Sequence, residues 1–175
     1  MAVSRYSRES GIFSRYCLTL AHPSQLSDYV VEHKVGRLVV TRLCLLPQVQ
    51  TVRFVQLAMA RVLEKVANRA VICADWRDID VLSPEVAEEV IHMLAVTNAK
   101  ILQSAILLEP QKATFNLQVE RVIANAKNSS RKSFRDTRNM LDWLTEFLEP
   151  NELQCAKDFL ATSPLANVRG QSAPR

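Results

Sequence analysis

The chain has 175 residues, which suits one domain with short extensions. Apolar residues make up 48%, enough for a sizeable core, and no apolar run reaches the roughly 20 residues of a membrane-spanning helix. A net charge of +4 and a pI near 9.0 permit an anionic partner without requiring one.

Residues 1–27 read as an N-terminal extension without a sustained period, with Ile12, Phe13, Tyr16 and Leu18 as its apolar points. Its opening, MAVSRYSRESGIFSRY, lacks the apolar stretch of a secretory signal. Next, DYVVEHKVGRLVVTRLCLL gives two β-rich runs broken at Val35-Gly36, where a hairpin fits because glycine tolerates positive φ. The second run, Leu38 to Leu46, is almost continuously apolar, as in a strand covered on both faces. Pro47 stops it. From Val49 to Asn68, Val52, Val55, Met59, Val62, Leu63 and Val66 recur at three- and four-residue steps, which predicts an amphipathic helix.

AVICADW is a further strand, followed by an acidic loop. Ser83 is placed as an N-cap, Pro84 as a first helical residue, and Glu85, Glu88 and Glu89 fall in the first two turns. Val86, Val90, Met93 and Leu94 make the inner face of that helix. ILQSAILLE is a strand closed by Pro110, and Phe115, Val119, Val122 and Ala126 stripe another helix. RKSFRD reads as a short edge strand whose charges discourage further pairing. TRNMLDWLTEFL and NELQCAKDFLA are the last two helices, separated at Pro150. Residues 162–175 read as a flexible tail. Strand and helix alternate after an opening hairpin. That predicts an α/β sandwich with a mostly parallel sheet of about five strands, flanked by four to five helices.

A strand ending in Asp, a helix entered through a serine, and Phe134-Arg135-Asp136 leading into a helix with Trp143-Leu144 resemble the STAS family, most closely its SpoIIAA-like branch. The resemblance covers roughly residues 28–148. Residues 149–161 then form an extra C-terminal helix. It implies a SpoIIAA-like sandwich of bacterial type and a regulatory, non-enzymatic role in signalling through protein partners. Antagonist members carry a phosphorylatable serine in a motif like Asp-Ser-Ser-Gly. This chain departs from it: Ser83 falls where the motif has Asp, Pro84 where it has Ser, and no Gly follows.

The stretch ADWRDIDVLSPEV, 74–86, concentrates the candidate chemistry. Asp75, Asp78 and Asp80 can be solvated loop carboxylates pairing with Arg77. They can also form a recognition rim, since sites in open α/β sheets gather beyond the carboxyl ends of strands. On the second reading Asp78, Asp80, Ser83 and Glu85 form the partner-binding surface. Ser83 is also a candidate phosphosite, because a helix N-terminus favours phosphate, although Asp78, Asp80 and Glu85 oppose it. The aspartates lack the glycine turn and distal Glu of a calcium loop, so no metal is expected.

No GxSxG or P-loop occurs, three glycines cannot make GxGxxG, and His22, His33 and His92 are scattered. Neither an enzyme nor a cofactor is expected. Cys17, Cys44, Cys73 and Cys155 form no CxxC pair, which suits a reducing cytoplasm. Arg131, Lys132, Arg135 and Arg138, with Arg121 and Lys127 nearby, form a candidate anion patch. No series of aromatic residues interleaves with it as a base-stacking platform, which argues against single-stranded nucleic acid. Self-association into a homo-oligomer fits a basic region followed by acidic C-terminal helices carrying Asp142, Glu146, Glu149, Glu152 and Asp158. The preferred reading is a cytoplasmic protein-interaction module. The alternative is a carrier of a small apolar ligand or lipid between helices and sheet.

Overall fold

The computed structural model describes residues 29–46 and 48–162. The N-terminal extension with its apolar points, Cys17 and His22, together with Pro47 and tail residues 163–175, lies outside the described residues. The elements are β1 (Tyr29–Val35), β2 (Leu38–Leu43), α1 (Val49–Leu63), β3 (Ala70–Asp75), α2 (Pro84–Thr97), β4 (Ile101–Leu107), α3 (Ala113–Asn125), β5 (Arg131–Phe134), α4 (Thr137–Leu144) and α5 (Pro150–Ala161). A 3-10 turn, Asn98–Lys100, joins α2 to β4.

The strands form one sheet in the order β1-β2-β3-β4-β5, with β1 antiparallel to β2 and every later pair parallel. The hairpin turns at Gly36, whose φ of +55° is the left-handed conformation that glycine adopts at little steric cost. Strands add in one direction across the sheet, so crossovers of a single hand place α1, α2 and α3 on one face. The other face is left to α4 and α5.

Side-chain alternation divides the interior into two cores. Val39, Leu43, Ile72, Ala74 and Ile106 face α1–α3, where Val52, Val55, Val90, Phe115 and Val119 meet them. Leu38, Val40, Val71, Cys73, Ala105 and Leu107 face α4 and α5, against Met140, Leu144, Ala156 and Leu160. All six residues of β2 and of β3 are buried, as strands covered on both faces require. Each large aliphatic side chain so buried contributes about 1.5–3 kcal/mol.

Two helices stop earlier than their apolar periods suggest. α1 ends at Leu63 rather than Asn68. There Lys65 N and Val66 N bond to Val62 O and Leu63 O, tightening the chain so that Val66 turns into the core. α4 ends at Leu144 rather than Leu148 for the same reason, with Glu146 N and Phe147 N bonding to Trp143 O and Leu144 O. α5, extra by its place in the sequence, shares the core of α4 and is fastened to the hairpin. Glu152 is only 3% exposed; one carboxylate oxygen accepts from Arg37 N and the other from Glu149 N. A Cβ on Gly36 would lie 2.1 Å from Glu152 Oε1, so the turn needs glycine for space as well as for φ.

Candidate functional site

Beyond the carboxyl end of β3 the chain is held from several sides. Trp76 N donates to Leu107 O, and Ile79 N donates to Trp76 O. Ile79 and Leu82 point inward as buried anchors. Gln118 of α3 clamps Leu82, accepting from its N–H at 2.8 Å and donating to its carbonyl at 2.9 Å. Lys112 Nζ donates to the carbonyls of Asp78 and Ile79 and pairs with Asp80 at 2.8 Å. The backbone of this loop is thus fixed while its outward side chains stay in solvent.

All four residues predicted for partner binding lie along this loop and the first turn of α2. Asp78 is half-buried, whereas Asp80, Ser83 and Glu85 are exposed. Ser83 caps α2, with its hydroxyl accepting from Val86 N at 3.4 Å. Glu85 is held below the usual carboxylate range by its own backbone N–H and by the Ser83 hydroxyl. Val81 stands 58% exposed, an apolar point on this rim that the charge pattern did not reveal.

Asp75 is a different kind of aspartate from the solvated loop group that the first reading allows. Only 2% exposed, it accepts from Arg42 Nε at 3.0 Å and from Arg77 Nε and Nη2 at 2.9 and 2.8 Å. Burial pushes its carboxyl up, but the hydrogen bonds and charge of Arg77, with the bond from Arg42, outweigh it and hold it low. Both guanidinium groups continue to the end of α5. Arg42 Nη2 donates to Phe159 O and packs over the Phe159 ring at 4.4 Å, while Arg77 Nη2 donates to Leu160 O. With its lone pairs engaged on both oxygens, this carboxylate fastens a helix rather than moving protons. The signal for it is Arg42 itself, a charge inside a continuous apolar strand, which must find a buried partner.

The predicted anion patch does not form as one surface. Arg131 is 5% exposed and points into the fold. Its Nη2 donates to Leu94 O at 2.7 Å and to Thr97 Oγ1 and Asn98 Oδ1, and its Nε to Asn98 Oδ1. It caps the carboxyl end of α2, where a cation suits the helix dipole. Arg135 and Arg138 stay exposed, 3.6 Å from Glu120 and 4.0 Å from Asp142. Lys132 stays exposed on the opposite sheet face, 5.3 Å from the Phe134 ring and 5.9 Å from that of Trp143. Aromatic rings thus do gather beside Lys132, brought there by α4: Trp143 stacks at a tilt on Phe134 and on Phe147.

Among the described residues, no three of His, Cys, Asp and Glu converge as metal ligands. His92 is a surface residue, and His33 Nε2 bonds with the Gly36 carbonyl at the hairpin. Burial, then the charge of Asp75, pushes the Cys73 thiol up to about 12, so it remains protonated and unreactive. No helix among the described residues is long and apolar enough to cross a membrane.

The first core contains a cavity under α1 and α2, lined by residues of all five strand-and-helix segments from β2 to β4 and by Arg131 of β5. Trp76 contributes to its wall, and its indole Nε1–H has no hydrogen-bond partner there although the residue is 3% exposed. An unmet buried donor costs about 1–3 kcal/mol.

No family model matches the chain, and no curated protein does. Among solved structures, it is similar to an uncharacterized protein of the DUF3478 family from Shewanella loihica. The two share 18% identity over 71% of this chain and 99% of that one, with a TM-score of 0.49. That protein is described as having a SpoIIAA-like fold. The architecture of the described residues is the one the sequence resemblance implies: a five-stranded, mostly parallel sheet opened by an antiparallel hairpin and flanked by five helices.

Proposed function

We propose that the chain is a non-enzymatic interaction module that presents the β3–α2 rim to a protein partner in a regulatory or scaffolding role. One observation carries this reading. The rim backbone is clamped by Gln118 and Lys112, while Asp80, Val81, Ser83 and Glu85 project into solvent. A surface already ordered loses little conformational entropy on binding. Its chemistry, carboxylates flanking the exposed Val81, suits a partner with basic residues beside an apolar anchor. In this role the Ser83 hydroxyl orders the first turn of α2. Phosphorylation there would place two further negative charges beside Glu85 and displace a cap that already works.

The test replaces two exposed carboxylates and keeps the Gln118 bonds and the Lys112 bonds to backbone carbonyls, losing only the exposed Lys112–Asp80 pair. Asp80→Arg with Glu85→Arg, compared with wild type in affinity capture from the native source, should lower recovery of specific partners by about tenfold or more, as charge reversal at a rim predicts. The melting temperature should stay near that of wild type. Recovery of the same partners in the same amounts would place the docking surface elsewhere.

A further inference from the structure

The partner chemistry that the β3–α2 rim calls for, basic residues beside an apolar anchor, is present on this same chain at the opposite end of the sheet. Three loops lead from α1, α2 and α3 into the amino ends of β3, β4 and β5. They carry Lys65 and Arg69, Lys100, and Lys127, all exposed, against one carboxylate, Glu64. The loops are braced to one another. Arg69 Nη2 donates to Ile101 O, Asn98 Nδ2 to Ala126 O at 2.8 Å, and Asn128 Nδ2 to Asn98 Oδ1 at 3.1 Å. None of the four cations has an ion pair among the described residues. Val96, 50% exposed on the last turn of α2, supplies an apolar point four residues before Lys100. The carboxylates Glu146 and Glu149 belong to the α4–α5 side of the sheet.

The acidic end holds Asp80, Glu85 and Glu88 exposed, with Val81 exposed beside Asp80. Helix α2 runs from this end to the basic one. Its 14 residues, at about 1.5 Å each, set Glu85 and Lys100 about 20 Å apart. Screening in physiological salt acts over about 8 Å. Neither end can therefore neutralise the other within one chain. Helix dipoles favour acids in a first turn and bases in a last turn, but not beyond them, and Arg69 lies well past the last turn of α1. Residues 29–162 carry almost equal numbers of acidic and basic residues. The molecule thus has two oppositely charged ends rather than a net charge that would draw it to a polyanion. Each end is an ordered loop surface with an apolar point, and the two are complementary between copies.

Resting on the role proposed for the rim, we infer that the β3–α2 rim of one copy docks on the basic loop end of the next, so that its partner is a second copy of this chain. Contact between unlike ends is head-to-tail. It leaves one free end of each kind, so assembly continues past a dimer and either closes as a ring or runs on as a filament. Exposed ion pairs are individually weak and screened by salt, so the assembly forms at high local concentration and disperses as ionic strength rises.

The experiment follows the mass of the full chain against concentration by sedimentation equilibrium, up to about 1 mM. At low salt the wild-type mass should pass that of two chains, and apparent affinity should fall about tenfold between about 50 and 300 mM salt. Asp80→Arg with Glu85→Arg should be monomeric over the same range. So should Lys65→Glu with Lys100→Glu and Lys127→Glu, because like charges then meet at every contact. All five side chains are exposed, so both variants should keep the wild-type melting temperature. Mixed in equal amounts, the two variants should associate again, since each end of one is opposite in charge to the end it meets on the other. A wild type that stays monomeric at low salt, a mass that levels off at two chains, or no recovery on mixing would overturn self-docking. Binding of monomeric wild type to phosphatidylserine vesicles would also overturn it and assign the basic end to an anionic membrane. In each of these cases a loss of captured partners on reversing Asp80 and Glu85 would still stand for the rim with a foreign partner, so the two readings fail separately.

Discussion

The two faces of the sheet each bury an arginine and treat it in opposite ways. On the α4–α5 face, Arg42 meets Asp75, its register partner on β3, shares it with Arg77, and gives Nη2 to α5. On the α1–α3 face, Arg131 meets only the carbonyl and neutral side chains at the end of α2 and borders open space. The first arrangement is closed: charge, counter-charge and hydrogen bonds complete one another, and what they fasten is a helix. The second is open, with a cation offset only by a helix dipole and an unmet indole donor in the same wall. A buried charge locks structure where its partner is covalently part of the chain. Where no carboxylate is at hand, carbonyl and neutral side-chain acceptors at a helix end hold the charge instead.

The largest effect should come from opening the closed side. Asp75→Asn would leave the buried Arg42 and the half-buried Arg77 side by side with no negative charge between them. Breaking a buried pair by removing one partner costs about 3–5 kcal/mol. Urea unfolding should show a loss of that order, with α5 protected less in hydrogen exchange than α1. A loss below about 1 kcal/mol would mean that the triad is solvated and weak, as surface pairs are.

Acid probes the same lock with a smaller effect. The Asp75 carboxyl in the folded state lies below its ordinary value of 3.8. A depressed folded value means that the unfolded chain binds the proton first as pH falls. The Asp75 contribution is therefore complete above about pH 4 and is lost as pH drops below 3.8 through the folded value. Wild type should lose stability more steeply than Asp75→Asn as pH falls below about 4. Parallel curves for the two proteins would assign the acid sensitivity to other carboxylates.

The contrast between the faces also explains what could be read from the sequence. Element order, the hairpin at Gly36 and the cap at Ser83 follow from local rules: glycine φ, apolar period and N-cap chemistry. The strands of both cores were legible because continuous apolar runs can only be buried. Arg42 and Arg131 were not placed, because each is a single charge whose fate depends on residues 33 and 37 positions away in sequence, Asp75 and Leu94. Arg131 sits among Lys132, Arg135 and Arg138 and looks like a member of a surface patch. Strand alternation turns it inward while Lys132 turns the other way. The helix ends at Leu63 and Leu144 escaped the apolar period for a related reason: Val66 and Leu148 remain buried after the helices have stopped, so their burial mimics helical continuation. The rim at Asp80, Ser83 and Glu85 was visible as composition, yet its rigidity depends on Gln118 and Lys112 of a later segment.

The smallest effect should come from the open side. Trp76→Phe deletes an indole donor that has no partner and also part of a buried ring. The two consequences oppose each other. Losing apolar contact destabilises by about 1–2 kcal/mol, while removing an unmet buried donor recovers about 1–3 kcal/mol. The net change in unfolding free energy should lie within about 1 kcal/mol of zero, far from the loss at Asp75. A cost clearly above about 2 kcal/mol would show that the indole N–H is satisfied in solution, by a water held against it. The open face would then be as closed as its counterpart, and the contrast between the two buried arginines would reduce to the kind of partner each one has.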